Sequence, residues 1–368
     1  MKTKFSWPVL GLFFLALPAG ACTPTAPLAA SRTPTPAPIL PGALSPSTFT
    51  PFSTQTPTLT PTLTLTLTLT LTPTLTLTAT PDPYAGLAIA DLAGRTYGGG
   101  ELRIEETLNV YGEFTRHLVS YPSDGLTVYG FMNVPGGEGP FPVVIVLHGY
   151  VDPSIYQTLT YTTRYADALA SAGYLVIHPN LRNYPPSGEG PNPFRIGFAI
   201  DVLNLIALTK EQGGALSVAN PEAIGVWGHS MGGGISLRVI TVSPDVRAAV
   251  LYGSMSGDER RNFERIFIWS GGQSGEAELD TPEEALARIS PIYHLDRLSA
   301  AVSIHHGEQD EVVPLEWSTE LCGRVQALGK PVECFAYSGQ PHTFQGEGDQ
   351  LFIQRTIEFF DAQLKAVR

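Results

Sequence analysis

Two runs of alternating apolar and polar residues, 114–120 and 126–134, flank the tetrapeptide Pro122-Ser123-Asp124-Gly125. A period of two marks strands with one face in a core, and a turn of this composition between them predicts an antiparallel hairpin. Residues 142–147 are instead almost uniformly apolar, as in a strand buried on both faces of a parallel sheet. Beyond them the period lengthens. A helical stretch at 161–172 leads through Gly173 to the apolar run 174–177, and a longer helix is predicted over 194–212, with Ile196, Ala199, Leu203 and Ile206 on one face. Strand-like runs at 223–227, 247–252, 301–304 and 332–336 follow, with a helix opening near Ser230 and a last helix over about 350–365. Short apolar strands alternating with helices predict an α/β domain, a mostly parallel sheet covered by helices on both faces and preceded by the N-terminal antiparallel hairpin. In such a sheet the active groups gather at the carboxyl ends of the strands.

The first 83 residues follow other rules. Residues 1–22 combine Lys2 and Lys4 with an apolar run from Val9 to Leu17 and then Ala19-Gly20-Ala21, the layout of an export signal. The run is well short of the roughly 20 residues that a membrane helix needs. Cys22, directly after it, also suits lipid attachment, so simple cleavage and a lipoprotein anchor are both open. Residues 23–83 are nearly all Thr, Pro, Leu, Ala and Ser, with Arg32 and Asp82 their only charges. Recurrent proline blocks helix and ladder hydrogen bonding, which predicts an extended tether. Within it the Leu-Thr alternation at 62–72 has a strand's period; a Thr-rich stalk is the preferred reading. A globular domain over 84–368 remains, suited to one α/β unit.

Composition narrows the chemistry. A formal net charge of −12 argues against nucleic acid as a partner. Zinc-type Cys/His spacing, a phosphate-binding loop and a dinucleotide fingerprint are all missing from the sequence, so neither a metal nor a cofactor is inferred. Of the three cysteines, Cys322 falls in a helical stretch and Cys334 in the strand after it. An exported protein would bridge them; two separate buried thiols are the alternative.

Gly228-His229-Ser230-Met231-Gly232 fits the pattern G-x-S-x-G, directly after a predicted strand and at the opening of a predicted helix. This is the context in which a strained turn lifts a serine hydroxyl clear of a sheet, with flanking glycines letting backbone pass close by, as in the α/β-hydrolase fold. A neutral serine needs a base, which in this fold follows both nucleophile and acid in the chain. His342 alone of the eight histidines lies beyond the last strand. Asp310, after the 301–304 strand, is the preferred acid; Asp258, which follows the preceding strand, is its rival, and Glu308 and Glu311 are nearer competitors. For the oxyanion, Met231 N–H is one expected donor, and the loop His148-Gly149-Tyr150 should supply the second. His148 itself reads as structural. Residues 257–284 are expected to form a lid or cap.

Taken together, His148-Gly149, Gly228 to Gly233, Ser290-Pro291, His306-Gly307 with Asp310 and Val313-Pro314, and Gly339 with His342 resemble the catalytic domain of the prolyl oligopeptidase family, and the dienelactone-hydrolase-like esterases beside it. The resemblance implies a Ser230, Asp310, His342 triad that cleaves a peptide or ester through an acyl-enzyme. It also implies an oxyanion role for the Tyr150 phenol. Peptidases of the family usually carry a β-propeller ahead of the hydrolase, which residues 84–113 cannot form. A small ester is therefore as plausible a substrate as a short peptide, and a carboxylesterase is the alternative. A non-catalytic, surface-displayed binding protein is the third and remotest reading.

Overall fold

The computed structural model describes residues 82–365. The chain separates into two units, Met1–Leu75 and Thr76–Arg368. All described residues belong to the second; the expected export signal, and the tether as far as residue 81, lie outside them.

Nine strands form one sheet among the described residues. In chain order they are β1 (Arg103–Val110), β2 (Phe114–Ser123), β3 (Leu126–Pro135), β4 (Phe141–Leu147), β5 (Leu175–Pro179), β6 (Ala219–His229), β7 (Ala248–Tyr252), β8 (Ala301–Gly307) and β9 (Val332–Tyr337). Across the sheet they run β1-β2-β3-β5-β4-β6-β7-β8-β9. The expected hairpin is β2 and β3, in register from Phe114 opposite Pro135 to Ser123 opposite Leu126. Asp124 and Gly125 make its turn with positive φ (50° and 79°), the geometry that matches the twist of the flanking strands. Antiparallel pairing extends further than the hairpin, through β1 on one side and β5 on the other. From β5 to β9 every pairing is parallel.

The helices are α1 (Ile89–Ala93), α2 (Thr163–Ser171), α3 (Ile196–Glu211), α4 (Met231–Val242), α5 (Glu259–Trp269), α6 (Glu276–Leu279), α7 (Glu283–Ile289), α8 (Leu315–Ala327) and α9 (Gly346–Phe360). They cover both faces. Val143, Ile145 and Leu147 of β4 enter one core with α3 and α4, while Val144 and Val146 enter the other with α2 and α9. β6 divides likewise, Ile224 and Val226 against Ala223 and Trp227. Burial on both faces is why these strands read as continuous apolar runs.

The Cys322–Cys334 disulfide is formed, and it joins α8 to β9. Asp82, placed by sequence at the end of the tether, pairs with Arg288 of α7 at 3.2 Å, so the folded part reaches at least that far.

The expected lid is α5, α6 and the start of α7, and it is bolted down. Glu259, buried at the start of α5, pairs with Arg238 of α4 at 2.6 Å and also with Arg195. From the same helix Arg265 donates to the Val312 carbonyl at 2.9 Å and to that of Glu311 at 3.2 Å. The start and the middle of α5 are thus tied to elements that carry the candidate site.

Candidate active site

β6 runs straight into Ser230, whose φ of 55° and ψ of −114° lie outside ordinary helix and strand. That turn is possible because of its glycines. A Cβ on Gly228 would lie 2.2 Å from the Gly232 carbonyl oxygen, and one on Gly232 would lie 2.3 Å from that of Leu147. Ser230 N–H donates to the Tyr252 carbonyl at 2.9 Å, which fixes the turn against the end of β7. The next residue, Gly253, similarly donates to His305 of β8 at 2.8 Å. Three strand ends are therefore locked side by side.

The loops beyond those ends bring Asp310 and His342 together. His342 Nδ1 donates to Asp310 Oδ2 at 2.7 Å. Asp310 Oδ1 accepts the amides of Val312 and Val313, both at 2.8 Å. Oδ2 is shared, because the buried His306 Nε2 lies 3.1 Å from it. Burial pushes the Asp310 carboxyl up, but hydrogen bonds from His306 and His342, the His342 charge and the Val313 amide outweigh it and hold the group well below the usual carboxylate range. Gly253 links this pair to the serine turn: a Cβ there would stand 3.3 Å from the His342 ring and 3.4 Å from Asp310 Oδ2.

The rival acids are elsewhere. Asp258 caps α5 by accepting the Arg260 amide at 3.0 Å, and Glu308 and Glu311 are exposed. His148 is fully buried, with Nε2 3.0 Å from the Asn180 carbonyl, as a loop residue should be.

Two backbone amides, one directly after Ser230 and one directly after Gly149, are candidate donors. Among the described residues neither Met231 N–H nor Tyr150 N–H has a hydrogen-bond partner. Gly149 N–H, by contrast, is taken by the Tyr161 hydroxyl at 2.9 Å. The Tyr150 side chain is 69% exposed. The sequence reading gives no role to Tyr161 or to His229, yet the His229 ring centre is 4.6 Å from that of His342 and Tyr161 packs against His229 in turn. Their contacts span 68 and 113 residues of chain, which no local motif encodes.

Residues 201–367 match the family model of the prolyl oligopeptidase family. The uncharacterized peptidase YtmA of Bacillus subtilis (strain 168) is 24% identical over 249 residues, covering 66% of this chain and 92% of the relative. Among solved structures, the acylaminoacyl peptidase of Pyrococcus horikoshii superposes with a TM-score of 0.56 at 22% identity, over 69% of this chain and 42% of that one. Acetyl xylan esterase 1 from Thermoanaerobacterium sp. gives 0.54 at 17%, over 71% and 88%. This chain is a serine hydrolase. Its fold is the α/β-hydrolase fold expected from sequence, and the resemblance to the prolyl oligopeptidase family holds. The hydrolase spans less than half of the acylaminoacyl peptidase chain but nearly all of the esterase.

Proposed function

We propose that the hydrolase cleaves a small ester or short peptide through an acyl-enzyme on Ser230, with His342 as base and Asp310 as acid. The observation that carries this reading is the His342–Asp310 hydrogen bond at 2.7 Å, on loops beside the strained Ser230 turn. Ser230 Oγ attacks the substrate carbonyl and gives its proton to His342 Nε2, and ionised Asp310 stabilises the imidazolium. The oxyanion accepts Met231 N–H and Tyr150 N–H, the two unpartnered amides. Collapse breaks the bond to the alcohol or amine, which leaves with the proton from His342. Water then repeats the sequence on the ester of Ser230 and regenerates the enzyme. Among the described residues Ser230 Oγ forms no hydrogen bond to His342, a contact that commonly tightens only with substrate bound.

Export is part of the proposal. Its supports are the basic and apolar layout of residues 1–22 and the Cys322–Cys334 bridge, a bond at home in an oxidising compartment. Cys22 would serve as the lipid attachment point of a membrane tether.

A fluorophosphonate probe tests the mechanism, since only an activated serine is labelled. Labelling should vanish in Ser230→Ala and fall strongly in His342→Ala; turnover by Ser230→Ala at the wild-type level would end the assignment. Acyl esters of graded length, set against aminoacyl amides, then decide between esterase and peptidase.

A further inference from the structure

Four groups behind the proposed catalytic residues form one hydrogen-bonded chain. Gly149 N–H lies 2.9 Å from Tyr161 Oη, Tyr161 Oη lies 2.7 Å from His229 Nδ1, and His229 Nε2 lies 3.0 Å from the His342 carbonyl oxygen. The direction of every bond is fixed by elimination. A carbonyl only accepts, so His229 Nε2 carries the proton. Burial, with the neighbouring charge of His342, pushes this imidazole down to about 3, so at neutral pH the ring is uncharged and Nδ1 offers a lone pair. Tyr161 must then donate its hydroxyl proton to Nδ1 and accept from Gly149. Burial raises that phenol to about 12, which keeps its proton in place.

The chain touches three functional loops at once. Gly149 precedes Tyr150, whose amide is a proposed oxyanion donor; His229 precedes Ser230; and the last acceptor belongs to His342 itself. Space is equally constrained. A Cβ on Gly149 would meet Tyr161 Oη at 2.5 Å and Ser230 Cβ at 3.2 Å, so the oxyanion loop is held between them.

We propose that Tyr161 and His229 are positioning residues that set the oxyanion loop at its working distance from Ser230, so that they act on kcat and leave KM unchanged. This rests on the Ser230 mechanism above. Neither side chain supplies a reacting atom and neither changes charge near neutrality, although the His229 ring packs 4.6 Å from that of His342. Tyr161, which bonds the oxyanion loop directly, therefore isolates the oxyanion stage more cleanly than His229 does.

The test is Tyr161→Phe in the full chain, with a chromogenic ester as substrate. Without the phenol oxygen, Gly149 N–H and His229 Nδ1 lose their partners and the Tyr150 amide drifts. We expect kcat to fall about 10- to 100-fold, somewhat less than outright loss of an oxyanion donor, with KM within about threefold. Affinity for a trifluoromethyl ketone, which forms a tetrahedral oxyanion on serine, should fall by the same factor. The acid limb of the pH–rate profile should stay in place. His229→Phe should reproduce the defect, and His229→Gln, which has both an N–H and a carbonyl to offer, should recover much of the activity. Wild-type kcat in Tyr161→Phe, undiminished ketone affinity alongside a lower kcat, or an acid limb moved by more than about half a pH unit would each overturn the proposal. Failure of the mechanism itself would show differently, as a Ser230→Ala enzyme that still turns over.

Discussion

His306 Nε2 stands 3.1 Å from the same oxygen of Asp310 that accepts the His342 N–H at 2.7 Å. With two amides on Oδ1 and the His342 N–H on Oδ2, the carboxylate accepts three hydrogen bonds and has the His306 ring beside it, a state that strongly favours the anion. His306 is itself held, Nε2 by the Val313 carbonyl at 2.9 Å and Nδ1 by the Ser318 hydroxyl at 2.7 Å.

Removing that second imidazole should loosen the acid and raise its folded-state pKa. A depressed carboxyl stabilises the fold above its unfolded pKa, and the contribution is lost as pH falls through the folded value. In His306→Phe the stabilisation from Asp310 should therefore be smaller and its loss complete at a higher pH, seen as an acid-unfolding midpoint displaced upward, with kcat reduced about tenfold. His306→Gln, which restores an N–H, should lie between. An unchanged acid midpoint in His306→Phe would deny the shared-oxygen role.

Asp310→Asn should lower kcat by about 10⁴-fold, because an amide cannot hold the imidazole in its required tautomer. Asp258→Asn should leave kcat near wild type, since that carboxylate caps α5, and should cost about 1 kcal/mol or less in stability. Steady-state kinetics and thermal melts of the two variants separate the roles; the opposite pattern would move the acid to Asp258.

For Tyr150 the amide, not the phenol, is the expected donor. Its side chain is 69% exposed and its N–H is free, while the neighbouring Gly149 N–H is occupied. Tyr150→Phe should keep more than about a third of wild-type kcat. A loss of about 10²-fold or more would instead assign the hydroxyl to the oxyanion.

Acid should destabilise the fold through its buried imidazoles. Burial holds His178, His229 and His305 down to about 3, against about 6.5 for a free side chain. Each binds its proton only on unfolding, so the stability they confer is complete above about pH 6.5 and declines as pH falls toward 3. The slope is about 1.4 kcal/mol per pH unit for each ring. Calorimetry at pH 5 in buffers of different ionisation enthalpy should find uptake of at least about three protons on unfolding, since burial also lowers His148 and His117. Uptake of less than about one proton would contradict the neutral assignments, including that of His229.

The parts of the site written in short motifs are legible in the sequence. Gly228 to Gly232 is a local steric device, and Asp310 and His342 each follow a recognisable apolar strand, so order along the chain sufficed. The cysteine pair was legible for a similar reason, one residue in a helix and the other in the strand after it. Strand β1 escaped because Arg103–Val110 is exposed at nearly every position and its ladder to β2 is interrupted twice, leaving no alternation to read. The character of α5 escaped too. Glu259 and Arg265 look like solvated charges until their partners, Arg238 and the Val312 carbonyl, arrive from 21 and 47 residues away.

Ser230 occupies a backbone conformation that suits glycine, at a cost of about 1–3 kcal/mol. Nothing in the packing of the fold requires a side chain there; only turnover does. Ser230→Gly should therefore melt at a higher temperature than the working enzyme, and a dead molecule would outlast a live one. Selecting variants for heat survival alone would then drift toward inactivity at this position, so any directed evolution of this hydrolase has to score catalysis in the same round as stability.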